Sequence, residues 1–127
     1  MDEAHAHFEA ALAVSREVKN PRHEGMVLGS LGALKAEGGR MEEARAQLQE
    51  GERLLREVED PVELALLLCT RARLEARAGD FDAARAALSE AEALAIRTGA
   101  GADSGLGKEL AEAREAVDSP LPAAPPE

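Results

Sequence analysis

Apolar and small residues return along this chain at spacings of three and four, and the strand-favouring Val, Ile and Thr appear singly and never in alternating runs. That pattern predicts helices near residues 2–18, 22–37, 41–58, 62–78, 81–98 and 104–117, and no strands. The breaks between them carry their own chemistry. Asn20-Pro21 and Asp60-Pro61 each place a side-chain acceptor before a residue suited to the first helical position. Gly38-Gly39 and Gly79 stand where one helix must end in a left-handed turn before the next begins. Such tight connections predict antiparallel neighbours.

The segments also repeat. Gly39-Arg-Met-Glu-Glu-Ala-Arg-Ala-Gln-Leu returns 40 residues later as Gly79-Asp-Phe-Asp-Ala-Ala-Arg-Ala-Ala-Leu. The same offset pairs Ala44 with Ala84, Leu48 with Leu88, Glu50 with Glu90 and Leu54 with Leu94. One step back it pairs Met1 with Met41, Ala4 with Ala44, Phe8 with Leu48 and Val14 with Leu54. The chain therefore divides into a helical repeat domain over 1–118 and a tail. Residues 1–18 form the second helix of a partial repeat, 22–58 and 62–98 two full repeats, and 104–117 a capping helix. In the third unit Gly99-Ala-Gly-Ala-Asp-Ser replaces the proline boundary, and Asp103 or Ser104 is the expected cap. The Pro-rich residues 119–127 are expected to be disordered. The partial first unit reads as the C-terminal piece of a longer array.

Composition narrows the class. Aromatic residues make up 2% of the chain, Phe8 and Phe81 alone. A core without large side chains must be thin and filled by Ala and Leu, which suits closely packed helices. The predicted fold is all-α: antiparallel helix hairpins stacked as a short solenoid of about six helices. The net charge of −10 disfavours nucleic acid and anionic membrane surfaces as partners. No apolar run approaches the roughly 20 residues that span a bilayer. The lone Cys69 precludes an internal disulfide and, with an acidic start, fits a reducing cytoplasm.

Small, large and small residues sit at fixed places in each unit: Gly32, Gly39, Ala44, Leu48 and Gly51, then Ala72, Gly79, Ala84, Leu88 and Ala91. This arrangement resembles the tetratricopeptide repeat. Leu28 and Leu68 stand where that family carries aromatics, and the period is longer than usual. The nearest likeness is to long-period arrays at the C-termini of large bacterial regulatory proteins. The resemblance implies a protein–protein interaction module that binds a peptide or helix of a partner in a concave groove lined by the first helix of each hairpin. The alternative is a structural C-terminal cap of a solenoid with no ligand of its own.

Carried onto this chain, the family's ligand-facing stripe reads Met26, Gly29, Ala33 and Glu37 on one helix, and Leu66, Cys69, Arg73 and Arg77 on the next. Arg73 and Arg77 suit an acidic peptide, since guanidinium groups pair carboxylates bidentately; the plainer reading makes them solvated arginines of a charged helix. The version of this fold that clamps chaperone tails uses Lys and Asn where this chain has Gly29, Ala33 and Thr70, so that clamp is missing. In the first helix Phe8 is expected in the core, packing on the second and third helices. Leu12 with Ala6, Ala10 and Ala13 is expected to form an exposed end that invites self-association.

Catalytic readings find no constellation. His5 and His7 project about 200° apart on a helix and cannot share a metal, and His5 with Glu9 makes only two ligands. Cys69 has no His or Asn partner nearby and reads as an inert, partly buried thiol. The glycine-rich segment from Gly99 resembles a phosphate-binding loop, yet it follows a helix and Lys108 lacks the required spacing. Glu42 and Glu43 lie early in a helix, where carboxylates favour the dipole. The sequence therefore predicts no enzyme, no metal and no cofactor.

Overall fold

The computed structural model describes residues 3–101 and 103–118. Six helices account for nearly all of them: α1 (Glu3–Glu17), α2 (Pro21–Glu37), α3 (Met41–Glu57), α4 (Pro61–Ala78), α5 (Phe81–Thr98) and α6 (Gly105–Asp118). No strand occurs among the described residues. The proline-rich tail expected over 119–127 lies outside them.

Four of the helices start on a side-chain cap, whereas α3 starts at Arg40 without one. Asn20, Asp60 and Asp80 accept hydrogen bonds from the backbone N–H of His23, Glu63 and Ala83, satisfying donors that have no partner within the helix. Ser104, not Asp103, caps α6, accepting from the Gly107 N–H at 2.9 Å. Gly39, Gly79 and Gly99 all take positive φ at the turns that follow α2, α4 and α5. The turns after α1 and α3 use Lys19 and Glu59 at φ near +55° instead.

The helices pair as α2 with α3 and α4 with α5, and α4 joins the hairpins by packing on both α3 and α2. Helix α1 lies against α2. Helix α6 packs chiefly on α4 and less on α5, whereas α4 leans more on α3 than on α2. One continuous core runs through α3, α4, α5 and α6, built around Leu48, Leu55, Leu68 and the alanines between them. A second cluster, Leu12, Val27, Leu28, Leu31 and Leu54, joins α1, α2 and α3.

Small residues set the helix spacing. A Cβ added to Gly25 would sit 2.8 Å from Leu55 Cγ, and one on Gly32 would sit 2.9 Å from Leu48 Cγ. The α2–α3 contact therefore depends on the absence of these side chains, and filling either place in so dense an interior forces neighbours off their rotamers.

Charge is buried in this core as well. Glu75, only 1% exposed, accepts from Arg45 Nη2 at 2.8 Å and from Arg45 Nε at 3.0 Å. Arg71 lies beside it and also donates to Glu52, which Arg56 reaches from the next turn of α3. Arg56 continues to Glu90 of α5 at 3.0 Å. The line of pairs thus ties α3, α4 and α5 together. The site equivalent to Glu75 in the preceding hairpin is Lys35, also buried, which turns to Glu43 at 3.1 Å.

Candidate functional site

The neighbouring first helices of the two hairpins, α2 and α4, enclose an open groove of about 300 Å³. Met26, Gly29, Ser30 and Ala33 form its α2 wall. Glu63, Leu66, Leu67, Thr70 and Arg73 form the α4 wall, with Leu55 of α3 beneath. Met26 is exposed and Leu66 half-buried, so the mouth is apolar. Thr70 turns its hydroxyl to the Leu66 carbonyl at 3.3 Å, which leaves its methyl group for the groove.

Of the stripe expected from sequence, the groove brings together Met26, Gly29, Ala33, Leu66 and Arg73. Glu37 and Arg77 are exposed at the C-terminal ends of α2 and α4 and stay outside the lining. Cys69 departs from the expectation: it is fully buried, with Arg73, Glu109 and Arg114 among its charged neighbours, and cannot face a ligand. The reason is α6, which packs on the side of α4 turned away from α2. Arg73 is likewise engaged, donating to Glu109 at 2.6 Å and lying 4.0 Å from Glu112, both on α6. An acidic partner would have to compete with these two carboxylates.

Sequence reasoning did not single out Ser30, Glu63 or Leu67 for the site. Glu63 is half-buried at one end of the groove. Burial holds its carboxyl above the ordinary carboxylate range, Asp60 pushes the same way, and Arg22 opposes both. Arg22 is itself committed to Asp60 at 2.6 Å. The signal for Glu63 was present in the sequence, since it stands three residues before Leu66 and so shares its face.

The burial of Cys69 pushes its thiol up to about 11. A thiol whose folded pKa exceeds its unfolded one adds stability that is complete below the ordinary value of 9.0 and lost as pH rises through about 11. At neutral pH a thiol reagent such as Ellman's is expected to leave the native protein unlabelled. Its rate of reaction should rise with urea in step with the loss of helix; fast labelling of folded protein would contradict the burial.

At the other end of the domain Val14 and Val18 are 55% and 63% exposed, and the small residues Ala6, Ala10 and Ala13 also face solvent. Leu12, expected to join that exposed end, is instead buried with Val27 and Leu31, and Phe8 packs against the same cluster. His5 contacts Glu9 at 3.2 Å. Among the described residues no group of three metal-ligating side chains converges, and no helix is long and apolar enough to cross a membrane.

Residues 1–57, which span α1, α2 and α3, match the family described as tetratricopeptide repeat. No curated protein and no solved structure matches the chain.

Proposed function

We propose, from the match of residues 1–57 to the tetratricopeptide repeat family, that the chain binds a peptide or helix of another protein in the groove between α2 and α4. The observation that carries this reading is the groove itself. There an apolar lining stays open to solvent between the first helices of neighbouring hairpins, which touch less than the helices within a hairpin. Met26, Ala33 and Leu66 offer the apolar contact, and Arg73 contributes only where its α6 carboxylates are displaced or shared. Helical repeats commonly carry partners on such extended surfaces.

A photo-crosslinking residue in place of Met26 tests the site, with the same residue at Ile96 as the control. Ile96 is 82% exposed on α5, away from the groove. The expected result is a covalent adduct with a cellular protein from position 26 and none from position 96. Equal yields from the two positions, or none from either, would remove the groove from consideration.

A second reading rests on α6. Its outer face shows Lys108, Glu112, Glu115 and Asp118 to solvent, while Leu106, Leu110, Ala113 and Val117 face inward. A polar outer face is what closes a helical stack. The two roles are compatible, since α6 covers the α4 seam that lies beyond the proposed groove.

A further inference from the structure

Helix α2 carries three interior glycines, Gly25, Gly29 and Gly32, at places where alanine would hold a helix better. Packing accounts for two of them, because Leu55 and Leu48 occupy the space a Cβ would need. It does not account for Gly29. A Cβ there would meet Leu67 Cδ1 at 3.4 Å, an ordinary contact, so alanine fits.

The missing side chain does have one consequence, which is that the groove wall stays open. The next seam along the stack shows the contrast. Cys69 and Arg73 stand at the places equivalent to Gly29 and Ala33, Cys69 is fully buried, and Arg73 bridges to Glu109. That seam is filled from within the chain. The α2–α4 seam has only small residues there and keeps its cavity.

Two further features describe what would fit. The volume of about 300 Å³ lies at the lower limit of small-molecule sites, a size for one anchoring side chain and not for a whole ligand. Glu63, on the rim, makes no ion pair and no side-chain hydrogen bond among the described residues. On a chain of net charge −10, an unpaired carboxylate beside an apolar opening favours a cationic segment.

Building on the interaction-module reading, we infer that the groove is a socket for one large apolar side chain, presented by a partner segment that also carries a lysine or arginine for Glu63. Gly29 holds the socket open at the expense of helix stability, a trade found where function and stability compete. The raised pKa of Glu63 agrees with a carboxylate whose partner is still to arrive.

Random linear peptides displayed on phage, selected on the immobilised protein and then synthesised, test this directly. Enriched peptides are expected to share a large apolar residue near a basic one and to shift the amide resonances of Gly29, Leu66 and Thr70. They should lose about tenfold or more in affinity for Gly29→Leu, whose side chain fills the socket. Glu63→Gln should weaken lysine-bearing peptides and leave their norleucine counterparts unchanged. Gly29→Ala is the folding reference and should melt a few degrees higher than the wild type. If Gly29→Leu loses its helical signal, Thr70→Phe closes the socket from the opposite wall and takes its place. Peptides that shift the same amides without either feature, or that bind the filled variant undiminished, overturn the socket and leave the module reading intact. Peptides that map elsewhere, or no enrichment at all, overturn both.

Discussion

Arg45→Ala is expected to lower the stability of this domain by about 3 kcal/mol, and Glu75→Gln by roughly half as much. The asymmetry follows from which charge is left behind. Without Arg45, the Glu75 carboxylate remains almost wholly buried, with Arg71 at 3.7 Å as its remaining cation. Without the Glu75 charge, Arg45 and Arg71 are 38% and 26% exposed and can turn to water. Breaking a buried pair costs most where the survivor cannot rehydrate. Urea unfolding followed by far-ultraviolet circular dichroism would measure both variants. Equal losses, or a greater loss from Glu75→Gln, would mean the carboxylate is not the constrained partner.

The larger effect should come from undocking α6. The double variant Leu106→Asp/Leu110→Asp places two carboxylates where two buried leucines meet α4 and α5. Each leucine contributes about 2–3 kcal/mol by burial, and undocking also uncovers the face of α4 beneath them, so a loss of about 4 kcal/mol or more is expected. Cys69 should become reactive in the same variant, because it lies on the α4 side that α6 covers. If the variant stays as stable as the wild type, α6 is a passenger and the capping reading fails. If stability falls while the groove peptides still bind, capping and recognition are separate duties of neighbouring helices.

The comparison of sequence and structure turns on how far a signal extends along the chain. The helices, their caps and the close α2–α3 contact were legible because each depends on residues within a few positions or on the 40-residue offset. Asn20, Asp60, Gly32 and Leu48 all belong to that class. The groove was legible in part, since Met26, Ala33 and Leu66 lie on faces that spacing alone defines. Cys69 and Arg73 were not, because their surroundings come from α6, where the chain abandons the repeat. The glycine-rich segment before α6 removes the fixed register, so no offset predicts that Glu109 meets Arg73 across 36 residues. The buried Glu75 was also missed. Its hint was the change of sign from Lys35 at the same place in a helix whose neighbours are apolar.

The way α2 and α3 touch has a bearing on how such proteins diversify. Gly25 lies against Leu55 with no space for a methyl group. At the equivalent places in the second hairpin stand Ala65 and Ala95, both buried. One hairpin joins the smallest side chain to a large one; the other joins two of intermediate size. Each combination closes the gap, and a mixture would not: Ala65 opposite a leucine would collide, and Gly25 opposite an alanine would leave a void. Within each hairpin, the two helices are therefore matched to each other. A cut at Gly39 or Gly79 separates helices fitted to each other in this way, whereas a cut at Asp60-Pro61 keeps each hairpin whole but parts Gly51 from Leu67 and Arg45 from Glu75.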